Sequence, residues 1–254
     1  MKDQWHGLLA KDEPSPVVWV NDATTDTFLL TGDHAGNRIP RALGDLGLGA
    51  ADRGRHIAVD RGVAALGTAL ACRLDAPFVH QCYSRLVIDC NRAPDSAEAM
   101  PEVADGTVVS GNSGLTAAAR ALRIAEVHAP YHAAISGRIA AARRPPVFVA
   151  LHSFTPVLAG RHRPWHVGVL HGGGAEAYAL RLLAALRRQP DWVVGDNAPY
   201  RFDATDYSVP CHAFPAGLSY AEIEVRQDLL ATAAGVAMVA DLLAAGLVAA
   251  LDPL

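Results

Sequence analysis

The sequence predicts an α/β fold in a single domain, with a mixed, mostly parallel sheet flanked by helices. Three observations lead there. Short β-branched or aromatic runs alternate with long Ala/Leu stretches whose apolar residues recur at helical spacing. Several short runs are apolar throughout, as strands become when helices cover both faces of their sheet. The chain has 254 residues, 51% of them hydrophobic, a length and composition that suit one large core.

In chain order, Thr-Phe-Leu-Leu-Thr at 27–31 is the first expected strand, and the Ala/Leu-rich stretch 58–74 the first helix. A strand follows at 77–80, and the apolar Leu-Val-Ile at the start of 86–90 suggests another. Residues 115–142 read as a long helix that Pro130 should kink or divide, because proline lacks the amide the helix needs. Strands at 147–151 and 166–171, a helix at 175–188 and a strand at 192–194 continue the alternation. The last strand, 221–225, alternates apolar and acidic residues, and a helix at 227–250 closes the chain. The region 229–251 is apolar enough to be weighed as a membrane span. It is Ala-rich, contains Asp241 and follows charged Glu224, Arg226 and Asp228, so it reads as a buried helix. Residues 95–113 form the longest polar connection, a candidate lid or binding loop.

With 22 Lys+Arg against 26 Asp+Glu the net charge is −4, and no basic stripe is present to neutralise phosphates. Nucleic acid and membrane are therefore not expected partners, and a small-molecule substrate is; the oligomeric state is left open. The four cysteines contain no CxxC pair, which argues against a disulfide framework or a thiolate metal site. The first residues lack the apolar stretch of a secretory signal, so a cytoplasmic location is expected.

Polar residues that interrupt or end apolar strands point to a site. Asp33 and His34 lie just past the first strand, followed by Gly36, which would let backbone approach a ligand closely. His152 ends a strongly apolar strand, and open α/β sheets bind ligands at the carboxyl ends of their strands. Two histidines and an acidic residue make the donor set of an open catalytic zinc site; Asp60 is the candidate third ligand and Asp33 the alternative. Arg85 and Arg92 bracket a run containing Asp89 and Asn91, and arginine forks hold carboxylates bidentately, either a substrate's or that of Asp89. Glu222 and Glu224, two apart on a strand, share a face, where burial or repulsion would raise a pKa and give a general base. Glu224 stands where the strand ends, with Arg226 two residues on. His128 and His132 are four apart, but no glutamate stands between them as in the HExxH pattern and Pro130 disturbs their helix, so they are read as structural.

Four ordered segments, Asp-His-Ala-Gly-Asn-Arg-Ile-Pro, Ser-Arg-Leu-Val-Ile-Asp-Cys-Asn-Arg, Leu-His-Ser-Phe-Thr-Pro and Ile-Glu-Val-Arg-Gln-Asp-Leu, resemble the N-formylglutamate amidohydrolase family over about residues 28–230. The resemblance implies a zinc-carboxypeptidase-like fold and zinc-dependent hydrolysis of N-formyl-L-glutamate to formate and L-glutamate. It matches His34, Asp60 and His152 to the metal ligands and Glu224 to the carboxylate that activates water. Arg85 and the Asn91–Arg92 pair match groups that hold the substrate, Arg85 also acting in catalysis; Tyr200, His212 and Arg226 are further substrate contacts. Where carboxypeptidases carry His-x-x-Glu, this chain has His34-x-x-Asn37. The alternatives are an amidase for another N-acyl amino acid or small peptide, and a metal-free carboxylate-binding protein.

Overall fold

The computed structural model describes residues 7–22 and 27–251. Seven strands drawn from across the chain form one mixed sheet: β1 (Val17–Val20), β2 (Phe28–Gly32), β3 (Phe78–Gln81), β4 (Val147–Phe154), β5 (Val167–Leu170), β6 (Val194–Asp196) and β7 (Tyr220–Arg226). Their order is β1-β3-β2-β4-β7-β5-β6. The centre, β3-β2-β4-β7, is parallel, as is β5 with β6, while β1 on β3 and β5 on β7 run antiparallel. All residues of β2 and β4 are buried, which explains their uninterrupted apolar runs.

Strand alternation divides the core into two layers. Phe28, Leu30, Val149, Leu151, Ile223 and Val225 face the helices α1 (Val63–Leu74), α4 (Ala177–Leu186) and α6 (Ala233–Ala249). Leu29, Phe148, Ala150 and Tyr220 face the other side, where α3 (Ala129–Ala141) contributes Tyr131 and Ile135 and α5 (Ser208–His212) contributes Val209. The period of two sends His152, Glu222 and Glu224 to this second face. In the β4–β7 register Glu224 stands directly opposite His152.

The expected helix 115–142 is divided as Pro130 required: α2 (Ala117–Arg123) passes through a π-helical turn, Ile124–His128, into α3, where Pro130 occupies the first turn and its missing amide costs nothing. The apolar C-terminal stretch is α6, capped by the Thr232 hydroxyl. Among the described residues no helix is long and apolar enough to cross a membrane.

Three expectations need correction. Residues 86–90 are not a strand: the Ser84 carbonyl accepts from the Val87 amide, and the Asp89 amide bonds to Ala99. Their apolar character reflects burial in a satellite core with Met100, Val109 and Val127, not extension. Residues 95–113 are not an open lid. The side chain of Asn112 binds the carbonyls of Leu86 and Pro101, and the fully buried Arg123 clamps Val87, Asn112 and Gly111. The close approach at Gly36 is by the chain itself: a Cβ there would lie 2.1–2.3 Å from the backbone of Cys82, so the glycine lets the two chain segments that build the site cross closely. The antiparallel edge β1 was not expected, since Val-Val-Trp-Val is short and flanked by prolines and polar residues.

Candidate active site

At the carboxyl ends of the central parallel strands, β2 delivers Asp33 and His34, β4 delivers His152, and β7 delivers Glu222 and Glu224. Asp60 reaches the same point from the turn before α1, fixed by its amide on the His34 carbonyl at 2.9 Å. That turn needs Gly62, which has φ 86° and whose Cβ would sit 2.3 Å from Leu230. The His34 and His152 rings lie 5.0 Å apart between centroids. Asp60 Oδ2 stands between them, 3.4 Å from His34 Nδ1 and 3.1 Å from His152 Nδ1, and accepts the Ser153 amide at 3.2 Å. One donor atom from each of these three buried side chains lies within 4.8 Å of the others.

The supporting groups fix the rings. Asp89 Oδ1 accepts from His34 Nε2 at 2.6 Å, while Asp89 Oδ2 accepts from Arg85 Nε and Nη2 at 2.9 and 2.6 Å. With Nε2 held by Asp89, Nδ1 is the nitrogen His34 turns inward, and that buried atom has no hydrogen-bond partner. Asp33 lies behind: its Oδ1 accepts from Tyr131 Oη at 2.7 Å and its Oδ2 is 3.8 Å from His152 Nε2, outside the three-ligand cluster. Geometry thus favours Asp60 over Asp33. Asn37, at the second position of the His-x-x-Glu pattern, turns away to donate to the Arg53 carbonyl.

A cavity of about 240 Å³ opens over these groups, lined by His34, Asp60, Arg85, Asn91, Arg92, His152, Tyr200 and Glu224 among others. Two expected contacts are not brought to it. His212 is buried behind α3, where its Nε2 pairs with His132 Nδ1 at 2.8 Å and its ring stacks near Phe148. Arg226 pairs with Asp228 and donates to the carbonyls of Pro164 and Trp165. Asn91 lines the cavity but its Oδ1 already accepts the amides of Tyr207 and Ser208 at the start of α5. His128 and His132 are structural, bonding to the carbonyls of Arg92 and Cys90. The cavity also gains His56, Arg201, Asp203 and Asp206, which sequence reasoning did not single out. The only local signal among these is Asp203, whose carboxylate turns back on the amide and hydroxyl of Thr205 in an Asx turn.

The site concentrates buried carboxylates: Asp33, Asp60, Asp89, Glu222 and Glu224. Burial is the largest influence on Glu224, pushing it up to about 7, and on Glu222, pushing it up to about 8, with mutual repulsion adding to the latter. His152 is raised to about 10: burial opposes the charge, but the Asp60 bond and the nearby Glu222 outweigh it. A proton on His152 thus sits among these carboxylates.

The model of the N-formylglutamate amidohydrolase family matches residues 26–231. The chain belongs to that family. A gene product of Agrobacterium tumefaciens, known from its crystal structure, is 36% identical, with 96% of this chain and 98% of that one covered and a TM-score of 0.92. The N-formylglutamate amidohydrolase of Ralstonia eutropha shares the fold at 22% identity, with 92% and 96% covered and a TM-score of 0.69. No curated protein matches the chain. The resemblance read from the four sequence segments is therefore correct at the level of family, and the protein is an amidohydrolase.

Proposed function

We propose that this amidohydrolase cleaves the N-formyl amide of an acidic amino acid, converting N-formyl-L-glutamate and water to formate and L-glutamate, with one divalent metal, zinc by preference, held by His34, Asp60 and His152. The observation that carries the reading is the buried convergence of His34 Nδ1, Asp60 Oδ2 and His152 Nδ1 beside a glutamate with a raised pKa. Two imidazoles and one carboxylate form the donor set of catalytic zinc sites that keep a position open for substrate. The orphaned His34 Nδ1 and the surplus of buried carboxylates fit such an ion.

A zinc ion there would supply Lewis-acid polarisation of the amide carbonyl and of the attacking water. Glu224 takes the water's proton on a carboxylate oxygen and returns it to the leaving nitrogen as the C–N bond breaks, so that formate and the free amine result. Its unpartnered, buried Oε2 is free for this, and a pKa near neutrality suits both halves of the transfer. Arg85, anchored on Asp89 and 3.4 Å from Asp60, holds positive charge at the site for the developing oxyanion. Arg92, whose Nη1 is spent on the carbonyls of Asn91 and Thr205 and whose Nε lies 3.4 Å from Glu98, keeps Nη2 for the substrate's α-carboxylate.

Metal analysis of the purified protein, together with formate release from N-formyl-L-glutamate before and after chelation, tests this. The expected result is one bound divalent ion and turnover that chelation abolishes and zinc restores. Full turnover in chelator, or no metal retained after reconstitution, would overturn it.

A further inference from the structure

Glutamate carries two carboxylates, and the proposed function leaves the side-chain carboxylate without a receptor. We infer that Arg201 binds it and sets the preference for an acidic substrate; this rests on the amidohydrolase reading above.

The argument comes from the charge partners within the cavity. Three arginines line it among the described residues: Arg85, Arg92 and Arg201. Arg85 is saturated by carboxylate, with two donors on Asp89 and a third 3.4 Å from Asp60. A substrate side-chain carboxylate there would meet both Asp60 and Asp89, at the position already assigned to the reacting carbonyl. Arg92 donates to two backbone carbonyls and lies 3.4 Å from Glu98 and 4.0 Å from Asp206. Arg201 is exposed at the cavity wall and has no hydrogen bond or ion pair among the described residues.

The chain on either side of Arg201 is held. Tyr200 is fixed through its hydroxyl, which accepts from Arg163 Nη1 at 3.0 Å, and through its ring, which lies 4.5 Å from that guanidinium. Downstream, the Thr205 carbonyl accepts from Arg92, and Asn91 binds Asp206 and the amide of Tyr207. Asp203, the nearest acid along the chain, is turned onto Thr205 rather than toward Arg201. A fixed loop thus places at the cavity wall one arginine with no protein partner among the described residues, while Arg85 and Arg92 are each bonded to protein groups. A fork of this kind suits the planar, bidentate recognition of a carboxylate.

The test is steady-state hydrolysis of N-formyl-L-glutamate and of its uncharged isostere N-formyl-L-glutamine by the metal-loaded wild type, Arg201→Gln and Arg201→Lys. Binding of the product L-glutamate against L-glutamine is measured by calorimetry on the same proteins. We expect wild type to prefer the glutamate substrate. Arg201→Gln should lower the glutamate-over-glutamine ratio in kcat/KM on the order of 10- to 100-fold, through KM, as befits loss of a charge-assisted hydrogen bond. Arg201→Lys should keep part of the ratio, and the calorimetric preference should fall in parallel. An unchanged ratio in Arg201→Gln, or an equal loss on both substrates, overturns the assignment while leaving the amidohydrolase reading intact. A wild type that hydrolyses neither substrate overturns that reading, and Arg201 with it.

Discussion

Replacing Asp89 by asparagine perturbs the most heavily used carboxylate of the site. Its Oδ1 accepts from His34 Nε2 at 2.6 Å and from the Asn91 amide at 2.8 Å, while Oδ2 accepts from two nitrogens of Arg85. An amide offers one acceptor oxygen and an NH₂ group that only donates. Turned toward Arg85, that NH₂ faces another donor and strands the guanidinium. Turned toward His34, it forces Nε2 to accept, which moves the ring proton to Nδ1, the atom proposed to hold the metal. Removing one partner of a buried ion pair costs about 3–5 kcal/mol. The Arg85 side chain is 25% exposed and keeps Asp60 nearby, so the low end applies. About 3 kcal/mol corresponds to a Tm lowered by roughly 6–12 °C for a chain of this length. Metal affinity should fall roughly 10- to 100-fold, as when other carboxylates behind ligating histidines are removed. Differential scanning calorimetry of metal-free protein and competition with a chromophoric chelator read the two effects. An unchanged Tm together with unchanged metal affinity would refute both roles given to Asp89.

Glu224→Gln should retain metal and fold while kcat falls on the order of 10²- to 10⁴-fold, the usual weight of a general base, checked by formate release alongside metal analysis. In metal-free protein the Glu222 carboxyl, held near 8 against an ordinary 4.5, stays protonated where the unfolded chain is ionised, and with His152 raised to about 10 it makes stability fall as pH rises from 6.5 to 8, Glu222 contributing up to about 1.4 kcal/mol per unit. Glu222→Gln should flatten that slope in urea titrations at successive pH values; an identical slope would show that Glu222 ionises normally. Burial pushes His132 down to about 3 and His212 to about 4, so both fold as neutral rings and their share of the stability should be lost as pH falls below 6.5; acid titrations in which His132→Gln follows the same pH dependence as wild type would contradict the buried pair. Gly36→Ala should destabilise the fold by about 1–3 kcal/mol, because a Cβ 2.1 Å from the Cys82 carbonyl must push apart the segments carrying His34 and Arg85; a Tm equal to wild type would show that the crossing is loose.

The alternation of strands and helices, the shared face of Glu222 and Glu224, and the break at Pro130 were legible in the sequence because each depends on residues adjacent along the chain. The family likewise followed from four short ordered segments, and with it the grouping of His34, Asp60 and His152. What the sequence did not disclose were pairings across long separations. Asp89, 55 positions from His34, decides which nitrogen of that ring is free. His212 is drawn away from the cavity by His132, 80 positions earlier. Leu86 to Cys90 resembled a strand because burial selects apolar residues whether the chain is extended or turned, and only the packing of Met100 and Arg123 against it shows which. Local chemistry thus fixed which side chains were capable of acting; the partners each acquires on folding, which set its proton, its charge and its direction, were decided by the tertiary structure alone.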